Sequence, residues 1–305
     1  SCVSAVVLTG CIDETLPTHQ ATNEQLSSSS KATEALLWAM PAFANNYKTV
    51  DGGDYDWGYG SLMHIRDVMT DEMVIIESGY DHYSAWEHNQ YIGPNYLSTQ
   101  VLGKFVQITN NMIGAINPQS ASETQRGYVG AAYGYRAFIY LDMARMFEFL
   151  ENDGTSPTNS SGNNVLNLTV PIVTEEVTEE AARNNPRVNR QEMYEFILSD
   201  LNKAGEYIPN FHRSTKTLPD LAVVYGLKAR LYMWMEDYAN AQVYARKAIE
   251  ESGATPTTQD QWLSTTSGFN DISISSWMFG SSMQKEDDVV KSGIINWTSW
   301  MSNET

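Results

Sequence analysis

Leu8-Thr9-Gly10-Cys11 closes a short apolar run, Ser4 to Leu8, and is followed at once by Ile12-Asp13-Glu14. This is the spacing of a lipobox, where a chain is cut before the cysteine and the cysteine sulfur and new amino group are acylated. The run is too short to cross a bilayer as a helix, which takes ~20 apolar residues, but it suits the apolar core of a signal peptide. Acyl chains on Cys11 would supply membrane affinity at ~0.8 kcal/mol per buried methylene. The chain would then be anchored and not spanning. The alternatives are a buried strand ending in a small-residue turn and a Cys2 to Cys11 disulfide.

The second chemistry-bearing stretch is Asp81-His82-Tyr83-Ser84-Ala85-Trp86-Glu87-His88-Asn89-Gln90-Tyr91, a polar aromatic loop without helical periodicity. Trp86 offers a flat face for a sugar ring, with Asn89 and Tyr91 beside it and with Asn89 and Gln90 to hydrogen-bond hydroxyls, the combination of apolar area and a few directed polar groups that ligand sites use. The same loop could instead plug Trp86 into the core. Trp297 and Trp300, with Asn296, form a second candidate of the same kind. Asp51, Asp54 and Asp56 present oxygens but lack the glycine and closing glutamate of an EF-hand, so a solvated turn is the ordinary reading. His19, His64, His82, His88 and His212 show no ligand spacing on a shared helix face. No metal site or cofactor is assigned.

Catalytic signatures are missing: there is no His-Glu-x-x-His, Gly-x-Ser-x-Gly, phosphate-binding glycine loop or dinucleotide fingerprint. A glycosidase pair would need two of the 37 acidic residues brought together from distant positions. Solvated helix faces account for them more simply, and no catalytic residue is assigned. The formal charge of -18, without any Lys- and Arg-rich run, repels a phosphate backbone and excludes nucleic acid as a partner. Beyond Cys11 there is no cysteine, so stability rests on a packed core, which 305 residues with 42% hydrophobic content can build.

The elements that must position these stretches are helical. Residues 11–30 are polar and acidic without periodicity and read as a tether, after a signal-peptide remnant at 1–10; folding starts near Ser30, and the folded body runs over 31–305. Ala35, Leu36, Ala39, Met40 and Phe43 recur at helical spacing, with Tyr47 continuing the stripe. Short helices follow through Leu62 to Met69 and over Leu102 to Ile116. The clearest helix covers Glu123 to Leu150, with Val129, Tyr133, Ala137, Tyr140, Ala144 and Phe147 on one face. Gly127, Gly130 and Gly134 line its first half and admit a close neighbour, at up to ~1 kcal/mol of helix propensity each. Asn189 and Glu192 have capping-box spacing and open a helix through Ala204. Leu218 to Met235, with Pro219 in its first turn, and Tyr238 to Glu251, stopped by Gly253, form a pair linked by Glu236-Asp237. Ala229, Tyr232, Tyr238, Ala241 and Ala248 stand at the packing offsets of a tetratricopeptide unit. After Gly253 the character changes, with short strand-like runs such as Ile272 to Phe279.

Several stretches in order resemble the SusD/RagB family: the lipobox; Trp57-Gly58-Tyr59-Gly60-Ser61-Leu62-Met63 with Arg66-Asp67-Val68-Met69; Arg126-Gly127-Tyr128 through Tyr135-Arg136-Ala137 to Asp142; Val170-Pro171-Ile172-Val173; Glu195 to Leu201; and Ala229-Arg230-Leu231-Tyr232 leading to Tyr238-Ala239-Asn240-Ala241. Each is weak alone, but their order over most of residues 11–252 is specific. The resemblance implies a mainly all-α fold, a tetratricopeptide-like helix-pair array with an irregular, loop-rich ligand region. It implies an outer-membrane, cell-surface lipoprotein that captures oligosaccharide or polysaccharide for a SusC-type TonB-dependent transporter, with Asp13 and Glu14 as part of the export signal. Family members run longer than this chain, which implies a missing C-terminal portion. An α-helical carbohydrate-active enzyme and a peptide-binding relative of the same fold are the competing readings.

Overall fold

The structure, a computed structural model, describes residues 29–45, 58–70, 103–209, 211–266 and 271–284. Its elements are α1 (Ser30–Ala44), α2 (Gly58–Val68), α3 (Gln107–Ala115), α4 (Glu123–Phe147), α5 (Glu179–Arg183), α6 (Arg190–Tyr207), α7 (Leu221–Trp234), α8 (Tyr238–Ser252) and α9 (Gln259–Leu263). Among the described residues β-structure is limited to two isolated bridges, Thr158 with Asn164 and Leu168 with Asn189. The fold is all-α. None of the described helices is long and apolar enough to cross a membrane.

Helix α4 is the axis of the body. It starts at a reciprocal cap in which Ser122 Oγ accepts from Gln125 N–H and the Gln125 side chain accepts from Ser122 N–H, satisfying two of the otherwise orphan donors of a first turn. From Val129 to Ala144 every residue except Phe138 is buried. The one-sided stripe expected from sequence is therefore corrected: helices α1, α3, α6 and α7 all pack on α4, and its apolar and small residues alternate around the whole circumference. The glycines do admit close neighbours, as expected. A Cβ on Gly127 would stand 2.5 Å from Phe211, one on Gly130 2.8 Å from Ile208, and one on Gly134 3.2 Å from Pro219. The helix stops at Phe147 and not at Leu150, because Glu148 turns extended and Arg187 Nη2 takes the Phe147 carbonyl at 2.7 Å.

The expected pair over 218–251 forms as α7 and α8. Pro219 lies outside the helix and not in its first turn, because Asp220 is the N-cap and its carboxylate accepts from Val223 N–H at 3.0 Å. Glu236 adopts a left-handed conformation at φ 61° in the tight link, a cost of roughly 1–2 kcal/mol that two turn bonds offset, Glu236 N–H to Met233 O and Asp237 N–H to Tyr232 O. Gly253, also left-handed, closes α8 by donating to Ile249 O. Ala229, Ala241 and Ala248 are buried in the seam, and Tyr232 stacks on Tyr244 with ring centroids 5.4 Å apart. Tyr238 departs from the expected pattern, since 66% of it is exposed on the outer side of α8.

Two other expectations shift. The Leu102–Ile116 helix runs from Gln107 to Ala115 behind a wider π-type turn at 103–106. Residues 272–279 form turns and no strand, with no ladder partner among the described residues, and Phe279 turns inward onto Tyr135 and Phe138.

Candidate ligand-binding site

Arg136, halfway along α4, has only 2% of its side chain exposed. Such a cation needs complete pairing. Nε and Nη2 donate to the two oxygens of Asp200 on α6 at 2.7 and 2.8 Å, and Nη1 donates to Asn110 Oδ1 on α3 at 2.8 Å and to Glu175 Oε2 at 2.5 Å. The rings of Tyr133 and Phe196 stack against the guanidinium, each centroid 5.2 Å away. Burial alone would lower the Arg136 pKa, but the hydrogen bonds and charge of Asp200, with Glu175 behind them, raise it above its ordinary value. Burial pushes the Asp200 carboxyl up, with Arg136 pulling the other way. Tyr140, one turn further along α4, accepts from Val173 N–H at 2.8 Å and donates to Val173 O at 3.2 Å. Asn110 Nδ2 reaches the same carbonyl at 3.1 Å, and Asn185 Nδ2 donates to Ile172 O at 2.7 Å. One buried network thus fixes both α3 and the extended piece 171–175.

Between those two walls and α5 lies a groove of about 570 Å³. Gln107, Asn111 and Gly114 line it from the exposed side of α3, Thr174 and Glu175 from the extended piece, and Asn185 from beyond α5. Among the described residues its lining carries no aromatic side chain; the carboxamides of Gln107, Asn110, Asn111 and Asn185 and one arginine-held carboxylate alternate with apolar Pro171, Val173, Val177 and Ala182. Among the described residues no group of three or more His, Cys, Asp or Glu side chains is placed to hold a metal ion.

The ligand residues expected from sequence, Trp86, Asn89, Tyr91, Trp297 and Trp300, lie outside the described residues, as do Cys11 and the Asp51-Asp54-Asp56 loop. What the structure does describe is how the flanks of those segments are held. Asp142 on α4 accepts from Arg66 Nη1 at 2.9 Å, from Arg66 Nη2, and from Tyr59 Oη at 2.6 Å, which fastens α2. Burial and the Asp142 charge raise the Tyr59 pKa, keeping that phenol a donor. A run of ring contacts then passes from Phe43 to Phe105, Tyr135, Phe279, Phe138 and Tyr59, with centroids 5.0 to 5.9 Å apart. Asn45 adds a clasp, donating to Ser282 O at 2.7 Å and accepting from Ser281 Oγ at 2.5 Å. The ends of α1 and α2, the start of the 103–106 turn and the 279–282 piece are therefore tied at one aromatic junction on α4.

Sequence reasoning missed the groove. Asn110, Arg136, Glu175 and Asp200 come from three helices and a loop. The available signal was an arginine in the middle of an otherwise apolar and small helical run, which implies a buried acid elsewhere in the chain, without naming it.

Residues 14–233 match a SusD-like family model described as "Starch-binding associating with outer membrane". No curated protein sequence matches the chain. Among solved structures, a SusD-like carbohydrate binding protein from Bacteroides vulgatus is 21% identical with a TM-score of 0.65, over 84% of this chain and 51% of its own. A SusD superfamily protein from Bacteroides thetaiotaomicron is 19% identical with a TM-score of 0.56, over 76% and 49%. A laminarin binding SusD-like protein is 14% identical with a TM-score of 0.54, over 76% and 46%. The chain spans about half the length of these solved relatives, and what it shares with them is the fold. With the family model matched over most of the sequence and the same helical body in the solved relatives, the chain belongs to the SusD/RagB family.

Proposed function

We propose that this chain is a cell-surface glycan-binding lipoprotein that captures oligosaccharide or polysaccharide and delivers it, uncleaved, to a SusC-type TonB-dependent outer-membrane transporter. The observation that carries this reading is the family match over residues 14–233, to a family described by starch binding and association with the outer membrane. The carbohydrate-binding and laminarin-binding relatives support it. Lipid on Cys11 and a tether over 11–30 supply the membrane attachment. Trp86, with Asn89 and Tyr91, and Trp297 with Trp300 supply stacking faces for sugar rings.

Affinity gels of the chain against a polysaccharide panel test the reading. Retardation by at least one glycan is expected, and Trp86→Ala should weaken binding by ~1 to 3 kcal/mol, the scale of burying one large side chain, with the thermal midpoint nearly unchanged. Release of reducing sugar by the purified protein would turn the reading to an enzyme. Labelling with a palmitate analogue should mark the wild type and not Cys11→Ala; equal labelling would remove the anchor.

A further inference from the structure

The polar groups of the groove on α3 divide into those already used and those left open. Asn110 is used on both sides, by Arg136 and by the Val173 carbonyl. Gln107 and Asn111, one turn apart and exposed, have no hydrogen-bond partner for their side chains among the described residues. Gly103 and Gly114 also line the groove, and a Cβ on Gly114 would stand 3.5 Å from Glu175 Cβ, so α3 and the extended piece approach closely at that end. Across from them Glu175 is held through Oε2 by Arg136, while Oε1 has no protein donor among the described residues. The volume of about 570 Å³ falls within the ~300–1,000 Å³ of small-molecule sites.

Charge selects the ligand. The guanidinium that holds Glu175 is 2% exposed and is already matched by Asp200, so a ligand meets the carboxylate and not the arginine. Behind the groove Arg136 and Lys203 stand against Asp200 and Glu175, and among the described lining residues Glu175 carries the one charged side chain, with no Lys or Arg beside it. The chain around it carries -18. An anionic ligand is repelled. A carboxylate with an open oxygen accepts from hydroxyl donors, and open carboxamides both donate and accept, which is what adjacent hydroxyls on a sugar ring require.

We propose that this groove is a saccharide subsite working by hydrogen bonds and not by stacking, and that it selects neutral sugars over uronic or sulfated ones. The ligand class rests on the glycan-binding reading above; the location and the charge selection come from the groove itself.

The test is isothermal titration of the chain with maltoheptaose, laminarihexaose, cellohexaose and mannohexaose as neutral probes and hexagalacturonate as the anionic one. The wild type should bind at least one neutral probe and hexagalacturonate more weakly. Gln107→Ala/Asn111→Ala touches neither Arg136 nor the core and puts the best helix former on an exposed face. It should weaken the neutral probe by about tenfold, two hydrogen bonds at ~0.7 kcal/mol each. Glu175→Gln should weaken the neutral probe and strengthen hexagalacturonate by about fivefold, the effect of removing one like charge near 4 Å in water. Unchanged urea midpoints for the α3 double variant keep its result a statement about binding. A double variant that binds the neutral probe as tightly as wild type overturns the subsite and leaves the glycan reading standing. Hexagalacturonate bound more tightly than every neutral probe by the wild type overturns the charge selection. A wild type that binds none of the five removes the glycan reading, and the subsite with it.

Discussion

Removing the Arg136 guanidinium strands a carboxylate that has no route to water. In Arg136→Met the stem volume is roughly kept, but Asp200, with 2% of its side chain exposed, loses both of its donors. Asn110 Oδ1, on a residue 8% exposed, loses its donor too, whereas Glu175, at 18%, can turn toward solvent. Breaking one side of a buried pair costs ~3 to 5 kcal/mol, well above the ~1 to 3 kcal/mol of an orphaned neutral acceptor, so Asp200 dominates. Burial already pushes its carboxyl up, and Arg136 is the chief group opposing that rise; without it the pKa climbs further. A carboxyl whose folded pKa lies above its unfolded value destabilises the fold fully above the folded pKa, and the penalty vanishes below the unfolded one. The gap between wild type and variant should therefore be largest at pH 7.5 and shrink as the pH falls toward about 4, the unfolded Asp range. Arg136→Met/Asp200→Leu removes the stranded charge and should recover all but ~1 to 3 kcal/mol, the residue being Asn110. Urea midpoints of the three variants at pH 7.5 and 5 read this directly. A gap independent of pH, or a double variant no better than the single, refutes the assignment of the cost to Asp200.

Gly130→Ala places a Cβ 2.8 Å from Ile208 Cγ1 and 3.1 Å from its backbone nitrogen, and should cost ~1 to 3 kcal/mol in urea unfolding despite alanine's better helix propensity. Gly226→Ala meets nothing closer than 4.0 Å and should instead be neutral or stabilise by ~0.4 to 1 kcal/mol. Tyr140→Phe leaves Val173 N–H without its acceptor, which should cost ~1 to 3 kcal/mol and speed hydrogen exchange at residues 173–175 ahead of α4. Ala241→Leu overpacks the α7–α8 seam, where Ala241 is 6% exposed, and should lower the midpoint by ~1 to 3 kcal/mol.

What could be read in the sequence was local. The Asn189–Glu192 box, the Gly253 stop and the small residues at 229, 241 and 248 each act within one or two turns, and each appears as expected. Long-range context decided the rest. Periodicity marked one packed face of α4, from Val129 to Phe147, whereas polar Arg136 and Asp142 off that face are buried too, against partners 64 and 76 positions away. Tyr238 fits a repeat pattern whose further helix is not packed on that side of α8 among the described residues, so its ring faces outward. The run 272–279 has strand-forming residues but no second strand to pair with among the described residues. The groove needed Glu175 and Asn110 brought together through an arginine 39 and 26 residues away, a meeting that spacing along the chain does not encode. The aromatic and lipobox residues singled out from sequence fall outside the described residues and stay within the proposal.

The clasp between Asn45 and residues 281 and 282 joins positions 236 and 237 apart, and it has a mechanical meaning. Any pull on the chain upstream of Ser29 enters the body at the first turn of α1, while the clasp holds the last. Helix α1 is 15 residues long, and paying it out from ~1.5 Å to ~3.4 Å per residue yields about 30 Å of slack. Thr33, Leu37 and Met40 pack inward along α1, so the load pulls turn after turn of the helix off α3 and α4 and reaches the clasp last. The first helix is a shock absorber in series with the body that carries the groove, and an optical-tweezers trace should show its extension as a separate step before the body yields.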